Sequence, residues 1–279
     1  MMIDTHAHCQ FPGYGENTSS MMKRTQDKNT IVNIVGTEKI SSSAAINMAG
    51  LYDFIYASIG LHPGHLFSDY HDKNESTEQV NENDFDFDYY DKLASEDKVI
   101  AIGECGIDLY RIPDSISRDK VLVKQIEVFE KEADLASKHN LPLVIHCRSA
   151  HNEMINVLKK IPHQTGTIHC YTDDWVYAEQ YLEMGYYIGF TGIITFPPQK
   201  KDPKSHNKLM EVIKKMPIDR ILVETDCPYL APIPFRGKPG EPWMVSEIIR
   251  KIAEIRQEPH DLILNSTTNN AKRLFKKIK

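Results

Sequence analysis

Short β-branched runs alternate with longer helical stretches along this chain, and that alternation restricts the fold more than any other property. Strand patterns fall at residues 2–8, 31–37, 55–62, 99–106, 141–147, 166–170, 187–193 and 221–226. Helical periodicity is clearest at 117–140, where Leu122, Ile126, Phe129, Ala133 and Ala136 recur at spacings of four and three and make one apolar stripe. Similar stripes occupy 152–161, 175–184, 209–216 and 245–255, and roughly the last forty residues read as helical without a further strand. An unbroken βα order forces parallel pairing through right-handed crossovers, and eight such units close a barrel. The expected fold is therefore α/β: a single (β/α)8 TIM barrel over residues 1–279 with an extra C-terminal helix. A doubly wound open sheet is the alternative.

Parallel strands of a barrel all end at one face, so residues far apart in sequence meet there. His6 and His8 stand two apart near the end of the first strand, and strand alternation points both toward the barrel axis. Glu104, His146, His169 and Asp226 close four further strands. Taken singly, each suits a hydrogen-bonded buried side chain as well as a ligand. Together, four imidazoles and two carboxylates form a site for Zn2+, Mn2+ or Co2+, with Mg2+ less at ease among nitrogens. Without a cation, so many ionisable groups in one place would leave costly unpaired charge. Each of the five cysteines, Cys9, Cys105, Cys147, Cys170 and Cys227, follows one of these residues directly. Alternation should turn the thiols outward beneath the helices as small packing groups; thiolate ligation would need the opposite phase.

Composition narrows the partners. A formal charge of -6 and a pI near 6.1 would repel a polyanion at long range, so any nucleic-acid binding must be local. Residues 197–208 carry Lys200, Lys201, Lys204 and Lys208 around Pro198 and Pro203, which reads as a basic loop. Residues 66–88 hold eight acidic residues against Lys73 alone and read as a solvated loop. No apolar run is long enough to span a bilayer, the N-terminus lacks a leader pattern, and an odd cysteine count suits a reducing compartment. The expected location is cytoplasmic.

Several motifs then fall into one pattern: Asp4-Thr-His-Ala-His8, Ile59-Gly-Leu-His-Pro63, Gly103-Glu-Cys-Gly-Ile-Asp108 with Arg111, Leu141-Pro-Leu-Val-Ile-His-Cys-Arg148, His169-Cys-Tyr, Glu224-Thr-Asp-Cys-Pro-Tyr-Leu230, and Arg236-Gly-Lys with Glu241-Pro. The chain resembles the TatD family of metal-dependent deoxyribonucleases, in the amidohydrolase superfamily, from the first strand to Asn270 and Leu274-Phe275. The resemblance implies two divalent ions, Zn, Mn, Co or Mg. His6, His8 and Asp226 would hold one, His146 and His169 the other, and Glu104 would bridge them. It also implies a nucleic-acid substrate, DNA foremost and RNA within reach, degraded from the 3′ end by a hydroxide held between the ions. Glu104 and Asp226 are the expected catalytic residues, with Asp226 as general base or proton shuttle. His62 and Arg111 are placed to reach a phosphate oxygen, and Arg148, Arg236 and Lys238 to track the adjoining phosphates. Glu224 would orient a ligand or join an extra metal site. With the lysines of 197–208 beside Arg236 and Lys238, the expected nucleic-acid path crosses the rim after strands seven and eight. The segments 66–88 and 197–208 and the turn at Lys238 depart from the family pattern, and these βα loops govern substrate preference. The same ligands would serve an ester or amide hydrolase, such as an aminoacyl-tRNA deacylase, and a non-catalytic binding barrel is the alternative outside enzymes.

Overall fold

The computed structural model describes residues 1–67, 72–75, 82–161 and 164–279. Eight parallel strands pair in sequence order: β1 (Met2–Ala7), β2 (Thr30–Val35), β3 (Ile55–Ile59), β4 (Val99–Asp108), β5 (Leu143–Arg148), β6 (Gly166–Ile168), β7 (Tyr187–Phe190) and β8 (Ile221–Val223). The β8 and β1 edges are joined just beyond the strands. Asp226 N donates to His6 O at 2.9 Å and His8 N to Cys227 O at 2.7 Å. This closes a sheet that would otherwise be open, and it does so at the end where the candidate ligands lie.

The helices that follow the strands are α1 (Thr18–Asp27), α2 (Lys39–Leu51), α3 (Phe87–Ala94), α4 (Arg118–His139), α5 (His151–Leu158), α6 (Trp175–Glu183), α7 (Pro203–Lys215) and α8 (Val245–Arg256), with α9 (His260–Leu274) as the extra C-terminal helix. Local chemistry sets their ends. Glu38 and Ser41 form a reciprocal capping box at the start of α2. Asn140 ends α4 in the left-handed region, φ 52°, which its short polar side chain tolerates. None of the helices among the described residues is long and apolar enough to cross a membrane.

Strands covered on both faces read as continuous apolar runs, and two buried clusters account for the two faces. One packs the outward side chains of the sheet against the helices. The other joins Ile3, Ile31, Tyr56, Ile100, Val144 and Leu222 to Phe275 and Ile278, the residues just after α9. The C-terminal segment thus seals one end of the barrel with hydrocarbon and leaves polar chemistry to the other.

Three sequence expectations change. Pro203 does not break a helix: it opens α7 at its first turn, where a missing N–H costs nothing, and Asp202 accepts from Ser205 N at 3.2 Å as the cap. Lys204 and Lys208 are therefore helical rather than in a loop, and Lys208 pairs with Asp174 at 3.2 Å. Within the acidic stretch, residues 68–71 and 76–81 lie outside the described residues. Of the rest, Asp86 caps α3 by accepting from Tyr89 N at 3.1 Å, and Asp72 and Glu75 face a cavity rather than open solvent. Finally, β6 ends at Ile168, and Cys170 takes a left-handed φ of 48°. Strand alternation no longer applies there, so this thiol lies beside His169 and Asp226 instead of under a helix.

Candidate metal centre

β1, β4 and β5 deliver most of the site. The Nε2 atoms of His6 and His8 come within 3.1 Å of each other. The Oε2 of Glu104 lies 3.4 Å from His6 Nε2 and 3.7 Å from His8 Nε2, whereas Oε1 lies 2.9 Å from His146 Nδ1 and 3.8 Å from His169 Nε2. Asp226 Oδ1 lies 3.4 Å from His8 Nε2 and 3.9 Å from His169 Nε2. Two glycines make this approach possible. A Cβ on Gly106, whose φ is +138°, would sit 2.0 Å from the His146 carbonyl oxygen, so only glycine lets β4 run this close to β5. A Cβ on Gly189 would meet the Glu224 carboxylate at 2.5 Å.

Most of these imidazoles are held from behind. His8 Nδ1 contacts Val35 O at 2.8 Å, which places a proton there and leaves the Nε2 lone pair for the cluster. His146 Nε2 rests 3.1 Å from Asp108 Oδ2. His169 Nδ1 is 2.9 Å from Glu224 Oε1, near enough for charge pairing although off the line of a hydrogen bond. Glu224 is fully buried and also accepts from Cys170 N at 2.6 Å. Asp4 accepts from Thr225 N at 2.9 Å, from Thr225 Oγ1 at 2.5 Å and from His6 N at 3.2 Å, which ties β1 to the turn carrying Asp226.

The donor set fits divalent ions. The 3.1 and 3.4 Å separations match the edges, about 2.8–3.6 Å, of a polyhedron built on metal–ligand bonds of about 2.0–2.2 Å. Among the described residues, the donors of His6, His8 and Asp226 lie within 4.8 Å of one another, as do those of His62, Glu104 and His146, of His6, His169 and Glu224, and of His169, Cys170 and Asp226. The protein alone compensates its buried carboxylates with protons. Burial lowers the pKa of His8, but Asp226 and Glu104 outweigh it and push the value up to about 9. Burial likewise opposes, and Asp108 and Glu104 reverse, the shift of His146 to about 9. Burial would raise Glu104, yet the neighbouring histidines, His62 first, hold it well below its ordinary value. Cations would replace those protons.

His62 is different. Its Nδ1 accepts from Gly64 N at 3.0 Å, so the neutral ring carries its proton on Nε2, which faces Glu104 Oε1 at 3.5 Å. Burial, with His146 and His65 adding to it against Glu104, lowers its pKa to about 4 and keeps it neutral. It offers the site a donor rather than a lone pair.

The cluster forms the floor of a cavity of about 610 Å³. Arg111, just after β4, and Arg148, the last residue of β5, line one side. Asp72 and Glu75 line another. Asp72 Oδ2 accepts from Tyr229 OH at 2.9 Å, Glu75 contacts His65 Nε2 at 2.7 Å and Thr37 Oγ1, and Gly13 N donates to Asn74 O at 3.0 Å. Burial would raise Glu75, but His65 and Thr37 hold it down at about 2. Arg236 and Lys238 are exposed and absent from this lining; Arg236 stacks on Phe196 at 4.3 Å. In the sequence Asp4 and Asp108 stand only as motif letters, although their period-two spacing from His6 and Glu104 marks both as inward-facing. Nothing in the sequence indicated Asp72 or Glu75.

The chain is similar to known proteins over nearly its whole length. The family described as TatD related DNase matches residues 3–276. A Bacillus subtilis protein named as an uncharacterized metal-dependent hydrolase, YabD, is 36% identical over 281 residues, covering 99% of each chain. A Pectobacterium carotovorum protein named 3′-5′ ssDNA/RNA exonuclease TatD is 32% identical over 252 residues, covering 87% of this chain and 86% of its own. The crystal structure of YJJV, a TatD homologue from Escherichia coli, matches with a TM-score of 0.81 at 27% identity, covering 99% of this chain and 98% of the other.

Proposed function

This chain belongs to the TatD-related DNase family of metal-dependent hydrolases, and on that premise we propose that it cleaves nucleic-acid phosphodiesters, those of DNA foremost, using two divalent ions. One observation carries the reading: the two oxygens of Glu104 face two different histidine groups, His6 with His8 and His146 with His169. One carboxylate can then serve two ions, with Asp226 completing the first group. Divalent ions, when bound, bring the pKa of water to near 7 and offset charge on phosphoryl oxygens.

The protein's own residues do the rest. Asp226 is held below the ordinary carboxylate pKa, burial opposing and His8 and His169 prevailing, and so is available to accept a proton from water. His62 presents its Nε2 proton to an oxygen on phosphorus, and Arg111, in the cavity wall, is placed to engage a second. Asp108 and Glu224 keep His146 and His169 in orientation through the reaction. The name of the Pectobacterium relative favours release of nucleotides from the 3′ end. The free cysteines suit the cytoplasm.

One observation favours a competing acyl-ester hydrolase: Asp72 and Glu75 in the cavity wall would suit a substrate bearing an ammonium group. Protein loaded with Mn2+ or Zn2+ should be assayed in parallel on single-stranded DNA, RNA and an aminoacyl ester. Release of nucleotides that is abolished in Glu104→Ala is the expected result. Ester hydrolysis without nucleotide release would overturn the nuclease reading, and no hydrolysis of any of the three substrates by the metal-loaded wild type would point to a binding barrel.

A further inference from the structure

Tyr110 lies two residues past β4 and is 62% exposed, uncommon for so large a ring beside a catalytic mouth. Its backbone is fixed, with N donating to Asp108 Oδ1 at 2.8 Å. The Arg148 guanidinium lies 3.9 Å from its ring centroid, and Arg148 lines the cavity with Arg111. Asp72 and Glu75 line the same cavity, held by Tyr229 and by His65 with Thr37. A flat, preoriented aromatic stacked on a cation serves as a platform for nucleobases, because every base has a π-face.

We propose, resting on the nuclease reading above, that Tyr110 and Arg148 form a nucleobase-stacking platform, and that the substrate strand leaves the metal centre over this β4–β5 rim. The direction follows from charge. Arg111 and Arg148, at the ends of β4 and β5, attract the phosphates next to the scissile one, whereas Glu75 and Asp72, held by Thr37, His65 and Tyr229 after β2, β3 and β8, repel a polyanion on their side. This differs from a path over the β7–β8 rim, where Arg236 and Lys238 are exposed and Arg236 stacks on Phe196.

The test compares wild type, Tyr110→Ala, Tyr110→Phe and Arg148→Gln on a single-stranded oligonucleotide carrying 2-aminopurine one base from its 3′ end, and on a small activated phosphodiester without bases. Stacking should quench 2-aminopurine in wild type and Tyr110→Phe but not in Tyr110→Ala. The ratio of kcat/KM for the oligonucleotide to that for the small diester should fall about tenfold or more in Tyr110→Ala and recover in Tyr110→Phe. Arg148→Gln should flatten the salt dependence of oligonucleotide binding by about one unit of slope. An unchanged ratio and quench in Tyr110→Ala would overturn the platform while leaving the nuclease reading intact. Flattening by Lys200→Gln/Lys201→Gln/Lys204→Gln but not by Arg148→Gln would return the path to the β7–β8 rim. A wild-type protein that cleaves an aminoacyl ester and neither nucleic acid would overturn both readings.

Discussion

Glu132 on α4 is buried, and its Oε1 accepts from Leu61 N at 2.8 Å, which fixes the residue before His62. Its Oε2 finds no partner among the described residues. Burial raises its pKa well above the ordinary 4.5, the Leu61 hydrogen bond opposing only in part, so the folded protein holds this carboxyl protonated. The sign follows from linkage. Once the pH passes 4.5 the unfolded chain has lost this proton and the folded chain has not, so stability falls as pH rises until the folded pKa is reached. One proton of difference is worth about 1.4 kcal/mol per pH unit. Glu132→Gln keeps an oxygen for Leu61 N and carries no titrating proton. Between pH 5.5 and 6.5 its unfolding free energy should therefore decline less than that of wild type, the difference bounded above by that one-proton slope. Urea unfolding followed by the fluorescence of Trp175 and Trp243, in EDTA so that metal-linked protons do not intervene, would measure it. Parallel pH profiles for the two proteins would refute the argument. Glu132→Ala, which leaves Leu61 N without its acceptor, should lose about 1–3 kcal/mol at every pH.

Three further outcomes follow from the same geometry. Chelation should lower the Tm of metal-loaded protein by the equivalent of about 2.7 kcal/mol when free ion had stood at a hundred times its Kd, and His6→Ala/His8→Ala should shrink that shift; equal melting with and without chelator would count against a metal centre. Gly106→Ala drives a Cβ to 2.0 Å from His146 O, so it should cost more than about 2 kcal/mol in denaturant unfolding and reduce bound metal per chain. Asp108→Asn should weaken metal affinity about 10- to 100-fold by loosening His146, read by titration of metal content, while leaving the fold's circular dichroism unaltered.

The eight strands, the order of the helices and the six clustered side chains were legible because each depends on periodicity within one element and on the rule that parallel strands end together. The departures lie at the ends of elements or between them. Pro203 reads as a breaker until Asp202 is seen capping the helix it starts. The alternation that predicts an outward Cys170 ends with β6 at Ile168. Asp72 and Glu75 sit in a stretch whose composition reads as solvent-exposed, yet they contact Tyr229, His65 and Thr37 from other loops.

By itself, then, the sequence determined the βα rhythm, the barrel, and the inward phase of His6, Glu104 and His146, which lie within strands, since strand phase is a property of neighbours along the chain. The tertiary structure alone decided which nitrogen of His62 bears its proton, that Asp108 and Glu224 stand behind His146 and His169, and which walls of the cavity are basic or acidic. Those features arise from contacts between loops distant in sequence, and no local periodicity specifies where a closing barrel will carry one loop against another.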